Sequence, residues 1–87
     1  MTGPSNYWEC TIDRLPKVTN DQEATAAKRQ CRWDFTDFYW RRALPKDNGI
    51  LGFSTKASEC IEKEVVKTES RTARLLIREA CIGNFPQ

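Results

Sequence analysis

The chain has 87 residues, of which 39% are hydrophobic and 30% are charged. A chain of this length allows one domain with a small core, so covalent cross-links contribute strongly to the stability of such a protein. Its net charge of +2, with basic and acidic residues interleaved, excludes the concentrated positive patch that is typical of nucleic-acid-binding proteins.

The sequence contains four cysteines and no histidine. An even number of cysteines in so short a chain favours two disulfides and an oxidising compartment. No close C-x2-C or C-x4-C pair is present, so zinc ribbons, zinc fingers and thioredoxin-type redox sites are not indicated. Two alternatives remain at this level: four buried thiols in a cytosolic protein, or a metal site built from four widely separated thiolates. We predict no metal and no cofactor.

The chain begins with a helical hairpin. Ser5 or Asn6 is suited to begin a short helix, which we expect to end near Arg14. The reason for this end is that Leu15 precedes Pro16, and a residue before proline is disfavoured in the α-helical region. Residues 16–19 then form the connection to the second helix.

The second helix of the hairpin begins after Asn20. This residue is a favourable N-cap, and Glu23 three positions later completes a capping box. Small and apolar residues then recur at intervals of three and four, which defines one buried face: Ala24, Ala27, Cys31, Phe35 and Phe38. The pattern predicts a helix that runs to about Arg42. Residues 43–53 contain Pro45, Asn48-Gly49 and Gly52, and are predicted to be a turn-rich linker.

A second hairpin follows the linker. Ser54, Thr55 or Ser58 begins its first helix, and Ser70 caps the last helix of the chain. We expect the last helix to stop at Gly83. Its predicted buried face consists of Ala73, Leu76, Ile77, Ala80 and Cys81.

The two hairpins align without a gap when the chain is shifted by fifty residues. Glu9-Cys10 falls on Glu59-Cys60, Cys31 on Cys81, and Phe35 on Phe85. The shared C-x20-C spacing indicates an internal duplication, with unit one at 5–42 and unit two at 54–87. We therefore predict an all-α fold: a single domain spanning 1–87, made of two tandem helical hairpins with about four helices and stapled by disulfides.

Four cysteines allow three disulfide connectivities. Pairing within each unit joins Cys10 to Cys31 and Cys60 to Cys81, and is favoured because the connection between the helices is long enough to bring each pair together. The second option joins Cys10 to Cys81 and Cys31 to Cys60. It resembles the plan of the twin-cysteine helical hairpins of the mitochondrial intermembrane space. The resemblance covers only the plan, because Pro16 prevents residues 10–31 from forming one straight helix.

Residues 33–42 are the main candidate for a functional surface, because unit two has no equivalent of their aromatic cluster. We predict that a partner protein binds to Trp33, Tyr39, Trp40, Arg41 and Arg42, since exposed tryptophan, tyrosine and arginine often anchor protein interfaces. The alternative is that the aromatic residues fill the core between the hairpins. A membrane-surface role for the arginines is disfavoured by Asp34 and Asp37.

Catalysis has little support in this sequence. Without histidine, a general base would have to be a carboxylate or a lysine, and no G-x-S-x-G, S-x-x-K or phosphate-loop motif occurs. We expect a non-enzymatic, protein-binding module of the inhibitor, immunity or effector type. Its expected location is extracytoplasmic, periplasmic or secreted, with a signal peptide removed. The alternative is a structural accessory subunit of a larger complex in the periplasm or an intermembrane space.

Overall fold

A computed structural model describes residues 3–43 and 54–85. Within these two ranges the secondary structure is entirely helical, which confirms the predicted all-α class. The predicted linker 43–53 lies outside the described residues except for Ala43. The elements in chain order are α1 (Tyr7–Arg14), a 3-10 turn (Leu15–Lys17), α2 (Asp21–Asp34), α3 (Thr36–Phe38), a π-helical turn (Tyr39–Ala43), α4 (Thr55–Glu64), a second 3-10 turn (Val65–Lys67) and α5 (Arg71–Asn84).

Side-chain caps begin both helices of unit one. The Asn6 side chain accepts a hydrogen bond from the Glu9 backbone N–H at 2.8 Å, and the Asn20 side chain accepts one from the Glu23 N–H at 2.8 Å. Glu23 reaches back to the N–H and hydroxyl of Thr19, one residue before the N-cap. These bonds satisfy backbone donors that have no partner within the helix. The predicted starts of α1 and α2 are therefore confirmed.

Serines begin both helices of unit two. Ser54 Oγ accepts a hydrogen bond from the Ala57 N–H, and Ser70 Oγ accepts one from the Ala73 N–H, each at 3.1 Å. Ser54 also donates to the backbone carbonyl of Phe85, which ties the start of α4 to the end of α5. The end of α5 differs by one residue from the prediction, because the helix includes Gly83 and ends at Asn84.

The fifty-residue repeat is present in the backbone. The 3-10 turn of unit one lies fifty residues before that of unit two, and α2 lies fifty residues before α5 at both of its ends. Phe35 and Phe85, the residues after these two helices, have matching backbone angles, with φ of −127° for both and ψ of 50° and 69°. The connection and the second helix of the two hairpins therefore occupy equivalent positions along the chain.

The predicted continuation of α2 to Arg42 is wrong. The helix ends at Asp34, and the chain changes direction at Phe35 before it forms α3 and the π-helical turn. The Thr36 hydroxyl donates back to the Trp33 carbonyl at 2.8 Å, which satisfies an acceptor left free by the break. The new direction brings Tyr39 into contact with Tyr7 on α1, a contact between buried rings.

The disulfides join Cys10 to Cys31 and Cys60 to Cys81, as favoured from the sequence, and each bridges Cα atoms 5.7 Å apart. Pairing within the units excludes both other connectivities. It also excludes the four-thiolate metal site and the four free thiols, because no cysteine remains reduced. Each bridge fastens the first helix of its hairpin to the second. By the loop-entropy model a bridge over this length contributes about 3 kcal/mol.

Helix α5 is the centre of the fold. It packs against α1, α2 and α4, and its buried residues include Leu76, Ile77 and Cys81. These residues form the main core cluster together with Leu15 from the first 3-10 turn and Ala24 from α2. Unit two thus supplies the middle helix, and unit one covers it.

The second helices of the two hairpins, α2 and α5, differ in how much of their surface is buried. On α5, Ala73, Leu76 and Ala80 are all buried, whereas the equivalent positions of α2 carry Glu23, Ala26 and Gln30, which are all exposed. Burial of apolar surface is the main stabilising contribution to such packing. The sequence difference therefore explains why α5 is central and α2 is peripheral.

Polar contacts also join the two units where their connections meet. The Asp21 carboxylate accepts hydrogen bonds from the Ser70 hydroxyl at 2.6 Å and from the Thr72 backbone N–H at 3.2 Å. Thr68 donates to the Val18 carbonyl at 2.8 Å, and these two residues occupy the same position of the repeat. The bonds from Ser70 and Thr72 lower the pKa of Asp21 below its ordinary value.

Candidate protein-binding surface

The candidate surface is built on a second core cluster that surrounds the first disulfide. Tyr7, Cys10, Cys31 and Tyr39 are buried together, and Phe35 and Phe38 pack partly against them. The break at Phe35 makes this cluster possible, because it turns Tyr39 towards α1. The chain following α2 is thereby packed against α1.

Aromatic rings form a continuous series across this cluster. Tyr39 meets Tyr7 edge to face at 5.0 Å between ring centroids, and Tyr7 meets Trp8 at 5.4 Å. Trp8 in turn meets Phe38 at 6.3 Å, and Tyr39 meets Trp40 at 5.4 Å. Edge-to-face pairs are favourable beyond the area they bury. The series links the buried disulfide to the exposed ring of Trp40.

Trp8 also fixes this cluster to the central helix. Its indole lies against Gly83 on α5, where a Cβ atom would come within 2.7 Å of the Trp8 ring. Gly83 has a negative φ, so the space and not the backbone conformation requires glycine. The role of Gly83 is therefore close packing between the units, in addition to its place near the end of α5.

The electrostatics of the cluster are dominated by burial. Removal of the Tyr7 hydroxyl from water raises its pKa from 10.0 to about 12, because the tyrosinate form is poorly solvated there. The guanidinium of Arg32 lies 5.8 Å from the centroid of the Tyr39 ring, a distance at which a cation is attracted to the ring face. This contact holds Arg32 beside the exposed end of the cluster.

The structure describes the side chains of four of the five predicted interface residues, and these four divide into two groups. Trp33 and Trp40 are exposed, at 79% and 58%, and Arg41 is exposed as well. Tyr39 is only 9% exposed and belongs to the core, so the core alternative applies to this residue. The side chain of Arg42 lies outside the described residues.

A shallow hollow lies at the break between α2 and α3. Its volume is about 460 Å³, and it is lined by Trp33, Asp34, Phe35, Thr36, Asp37 and Phe38. Asp34 accepts a hydrogen bond from the Gln30 side-chain amide at 2.9 Å and lies 3.6 Å from the Arg14 guanidinium. The hollow therefore combines an aromatic wall with carboxylates at its edge.

A larger groove of about 940 Å³ lies elsewhere, between α1 and α4. Ile12, Pro16, Cys60 and Phe85 contribute its apolar lining. Four lysines and four carboxylates surround them, so the charges of the lining balance. The groove shares no residue with the hollow beside Trp33.

Sequence reasoning missed Tyr7, Trp8 and Gly83 as parts of this region. Tyr7 had a detectable signal, because it precedes Cys10 by one helical turn and so shares its face. Trp8 carries no such signal. Its ring reaches Gly83 only because α1 packs on α5, the last helix of the chain.

The described residues offer no metal site. In ranges 3–43 and 54–85, no three histidine, cysteine, aspartate or glutamate residues are grouped to hold an ion. No helix within these ranges is long and apolar enough to cross a membrane. Comparison with protein-family models, curated protein sequences and solved structures finds no significant match in any of the three.

Proposed function

We propose that this protein is a small, non-enzymatic binding module that presents a rigid helical surface to one protein partner. The binding surface consists of Trp33, Trp40 and Arg41. The observation that carries the proposal is the exposure of two tryptophans, 79% and 58%, beside a cluster of packed aromatic rings. Tryptophan and arginine are, with tyrosine, the residues most enriched among interface anchors, and exposed tryptophan rings in a free protein cost solubility without helping the fold.

The surface is held in place before a partner arrives. Trp40 packs against the buried ring of Tyr39, and Trp33 lies in the last turn of α2, two residues after the disulfide-bonded Cys31. A rigid surface loses little conformational entropy on binding, which favours affinity. This preorganisation supports an inhibitor, immunity or effector type of function, in which a small protein blocks or modifies a larger one.

The chemical groups near the surface favour binding over catalysis. Asp34 is engaged by Gln30 and Arg14, and no nucleophile stands beside a general base in the hollow. The aromatic wall and the exposed carboxylate of Asp37 are instead suited to receive a basic or apolar side chain of a partner. We infer from these features that the hollow is a recognition site.

The two disulfides support an extracytoplasmic location, periplasmic or secreted. Structural disulfides persist in oxidising compartments and are rare in the cytosol. Here both bridges fasten the helices of a chain with a small core, so both are expected to stabilise the fold.

The test is affinity capture of the partner from the native source under non-reducing conditions, with variants of the full chain as bait. We expect Trp33→Ala and Trp40→Ala each to weaken binding by about 30-fold or more, the effect of losing an anchor residue of an interface. Leu75→Ala is the matched control, because Leu75 is also a large apolar residue and is 56% exposed on α5. The proposal fails if the tryptophan variants capture the partner as well as the wild type does.

A second candidate function is that of an accessory subunit within a larger complex. It is favoured by a further apolar exposure on unit two, where Val66 is 74% exposed in the 3-10 turn and Leu75 is exposed on α5. A subunit of this kind would need contacts on both units. Sedimentation of the purified chain over a range of concentrations separates the two candidates. A free-standing module is expected to stay a monomer or dimer, whereas an isolated accessory subunit is expected to aggregate as the concentration rises.

A further inference from the structure

The two disulfides lie in different surroundings. Cys10 and Cys31 are both fully buried, beneath the aromatic rings of Tyr7 and Tyr39. In the second bridge only Cys81 is fully buried, whereas Cys60 is partly exposed. Cys60 also lines the open groove between α1 and α4. A reagent in solution therefore has a path to the second bridge and none to the first.

We propose that Cys60–Cys81 is the redox-responsive bridge of this protein, opened by dithiols while Cys10–Cys31 stays closed. The rate of thiol–disulfide exchange depends on access of the attacking thiolate to a sulfur atom. A thiolate entering the groove forms a bond to Cys60 Sγ, and the bond between Cys60 Sγ and Cys81 Sγ breaks. The electron pair leaves with Cys81 Sγ, which takes up a proton from water.

The reductant has to be a dithiol. Cys81 is released next to the mixed disulfide at position 60, so its thiolate attacks back and restores the bridge. A dithiol prevents this return, because its second thiolate attacks the reductant's own sulfur in the mixed disulfide. This attack expels Cys60 as a thiolate and leaves the reductant as an internal disulfide. Two electrons and two protons then pass from the dithiol to Cys60 and Cys81.

The two bridges differ in reactivity because a thiolate can reach only one of them, and not because of the charges around Cys60. Lys56 and Lys63 lie on either side of Cys60 along α4, where they attract an anionic thiolate. The equal number of carboxylates in the same lining offsets this attraction. Lys67 is moreover paired with Glu64 at 2.9 Å.

Opening of this bridge has a structural consequence that is confined to unit two. Helix α4 and the 3-10 turn after it are held to α5 by the disulfide, by the packing of Ile61 and Val65 on the core, and by the hydrogen bond from Ser54 to Phe85. Helices α1 and α2 contact α5 directly and do not depend on α4. Loss of the bridge therefore loosens α4 and uncovers the apolar core beneath it, while the assembly of α1, α2 and α5 remains.

The first test measures which bridge opens under native conditions. The oxidised full-length protein is treated with dithiothreitol, quenched with an alkylating agent at intervals, and mapped by mass spectrometry. We expect Cys60 and Cys81 to be alkylated at least about tenfold faster than Cys10 and Cys31. In guanidinium chloride, where the fold is lost, the difference should disappear. Equal rates in the native protein, or earlier opening of Cys10–Cys31, would overturn the proposal.

The second test examines the structural consequence with matched pairs of substitutions. Cys60→Ser with Cys81→Ala removes the reactive bridge, and Cys10→Ser with Cys31→Ala removes the buried one. We expect the first variant to keep slow amide hydrogen exchange in 71–84 and to lose protection in 55–64. Cys10→Ser with Cys31→Ala should lose protection in α2 as well as α1. Loss of protection throughout the Cys60/Cys81 variant would show that α4 cannot be released alone.

Discussion

Gly83 of α5 lies directly beneath the indole of Trp8 on α1, so close that a Cβ atom at position 83 would fall within 2.7 Å of Trp8 Cδ2. Intrinsic helix propensity favours alanine over glycine by about 1 kcal/mol. The Trp8 ring opposes this preference, because it is held between Tyr7 and Phe38 and has little freedom to move aside.

We therefore expect Gly83→Ala to lower the free energy of unfolding by about 1–2 kcal/mol, since overpacking of a fixed ring outweighs the gain in helix propensity. Urea denaturation of the oxidised protein measures the change. Gly3→Ala is the matched control, because nothing lies within 4 Å of a Cβ atom at position 3. A Gly83→Ala protein as stable as Gly3→Ala would mean that Trp8 moves freely.

The Asp21 carboxylate should make the free energy of unfolding decrease as the pH becomes acidic. Its hydrogen bonds from Ser70 and Thr72 hold the pKa of the carboxyl below its ordinary value of 3.8. The bonds thus stabilise the folded state above that value, and the contribution is lost as the pH falls through the lower pKa of the folded state. We expect Asp21→Asn to reduce stability at neutral pH and to flatten its decline in acid.

The comparison for Asp21 is a series of urea denaturation curves from neutral pH to below pH 3.8, the ordinary pKa of this carboxyl. Asp37→Asn serves as the control, because Asp37 is an exposed carboxylate on another part of the surface. If the Asp21 and Asp37 variants have the same pH profile, the contact between the units does not contribute to acid sensitivity.

The Tyr7 hydroxyl should ionise at a higher pH than an ordinary tyrosine, because burial raises its pKa. The chain has two tyrosines, so Tyr39→Phe leaves Tyr7 as the sole source of tyrosinate absorbance. We expect this absorbance to rise near pH 12 in the folded protein and near pH 10 when it is unfolded in guanidinium chloride. Stability from the neutral hydroxyl is complete below pH 10 and is lost as the pH rises towards 12. Titration of the folded variant near pH 10 would show that Tyr7 is not sequestered from water.

Substitution of neighbouring aromatic residues should separate core from surface. Tyr39→Ala removes a ring that is 9% exposed, and we expect a loss of about 3–5 kcal/mol, as for other large aromatic residues in cores. Trp40→Ala removes a ring that is 58% exposed, and we expect a loss of less than about 1 kcal/mol. Thermal unfolding followed by circular dichroism ranks the two. A Trp40→Ala loss as large as that of Tyr39→Ala would place Trp40 in the core and remove it as an anchor of the surface.

Local signals in the sequence were sufficient for most of the helices. Asn6, Asn20 and Ser70 act as caps through hydrogen bonds to residues three positions away, so their effect is readable from adjacent sequence. The disulfide pairing was also accessible, because each cysteine pair closes a hairpin of the same length. These features depend on contacts within one unit.

The end of α2 was not predicted because the spacing of Cys31, Phe35 and Phe38 continues the helical pattern across the break. The repeat contained the missing information. Unit two ends its equivalent helix just before Phe85, and the same end applied to unit one would have placed the break at Phe35. Burial of Tyr39 follows from that break.

The central position of α5 depends on contacts between the units. Its buried face of Ala73, Leu76 and Ala80 is visible in the sequence, but the helix that covers it is not. The partner of such a face is decided by the packing of the whole chain. For the same reason the contact between Trp8 and Gly83 could be found only in the structure.

The fixed order of the two units limits how far this architecture can extend. The first helix of unit one, α1, packs on the second helix of unit two, α5. Because this contact joins two different surfaces of the repeat, the same contact between further copies would build a filament. The next step would require Glu62 to occupy the place that Ile12 fills within the chain, and Glu62 is exposed and charged. At the other end, Glu23 and Gln30 keep α2 polar. The surfaces on which a further hairpin would stack therefore carry exposed charged and polar side chains, which disfavours its packing there.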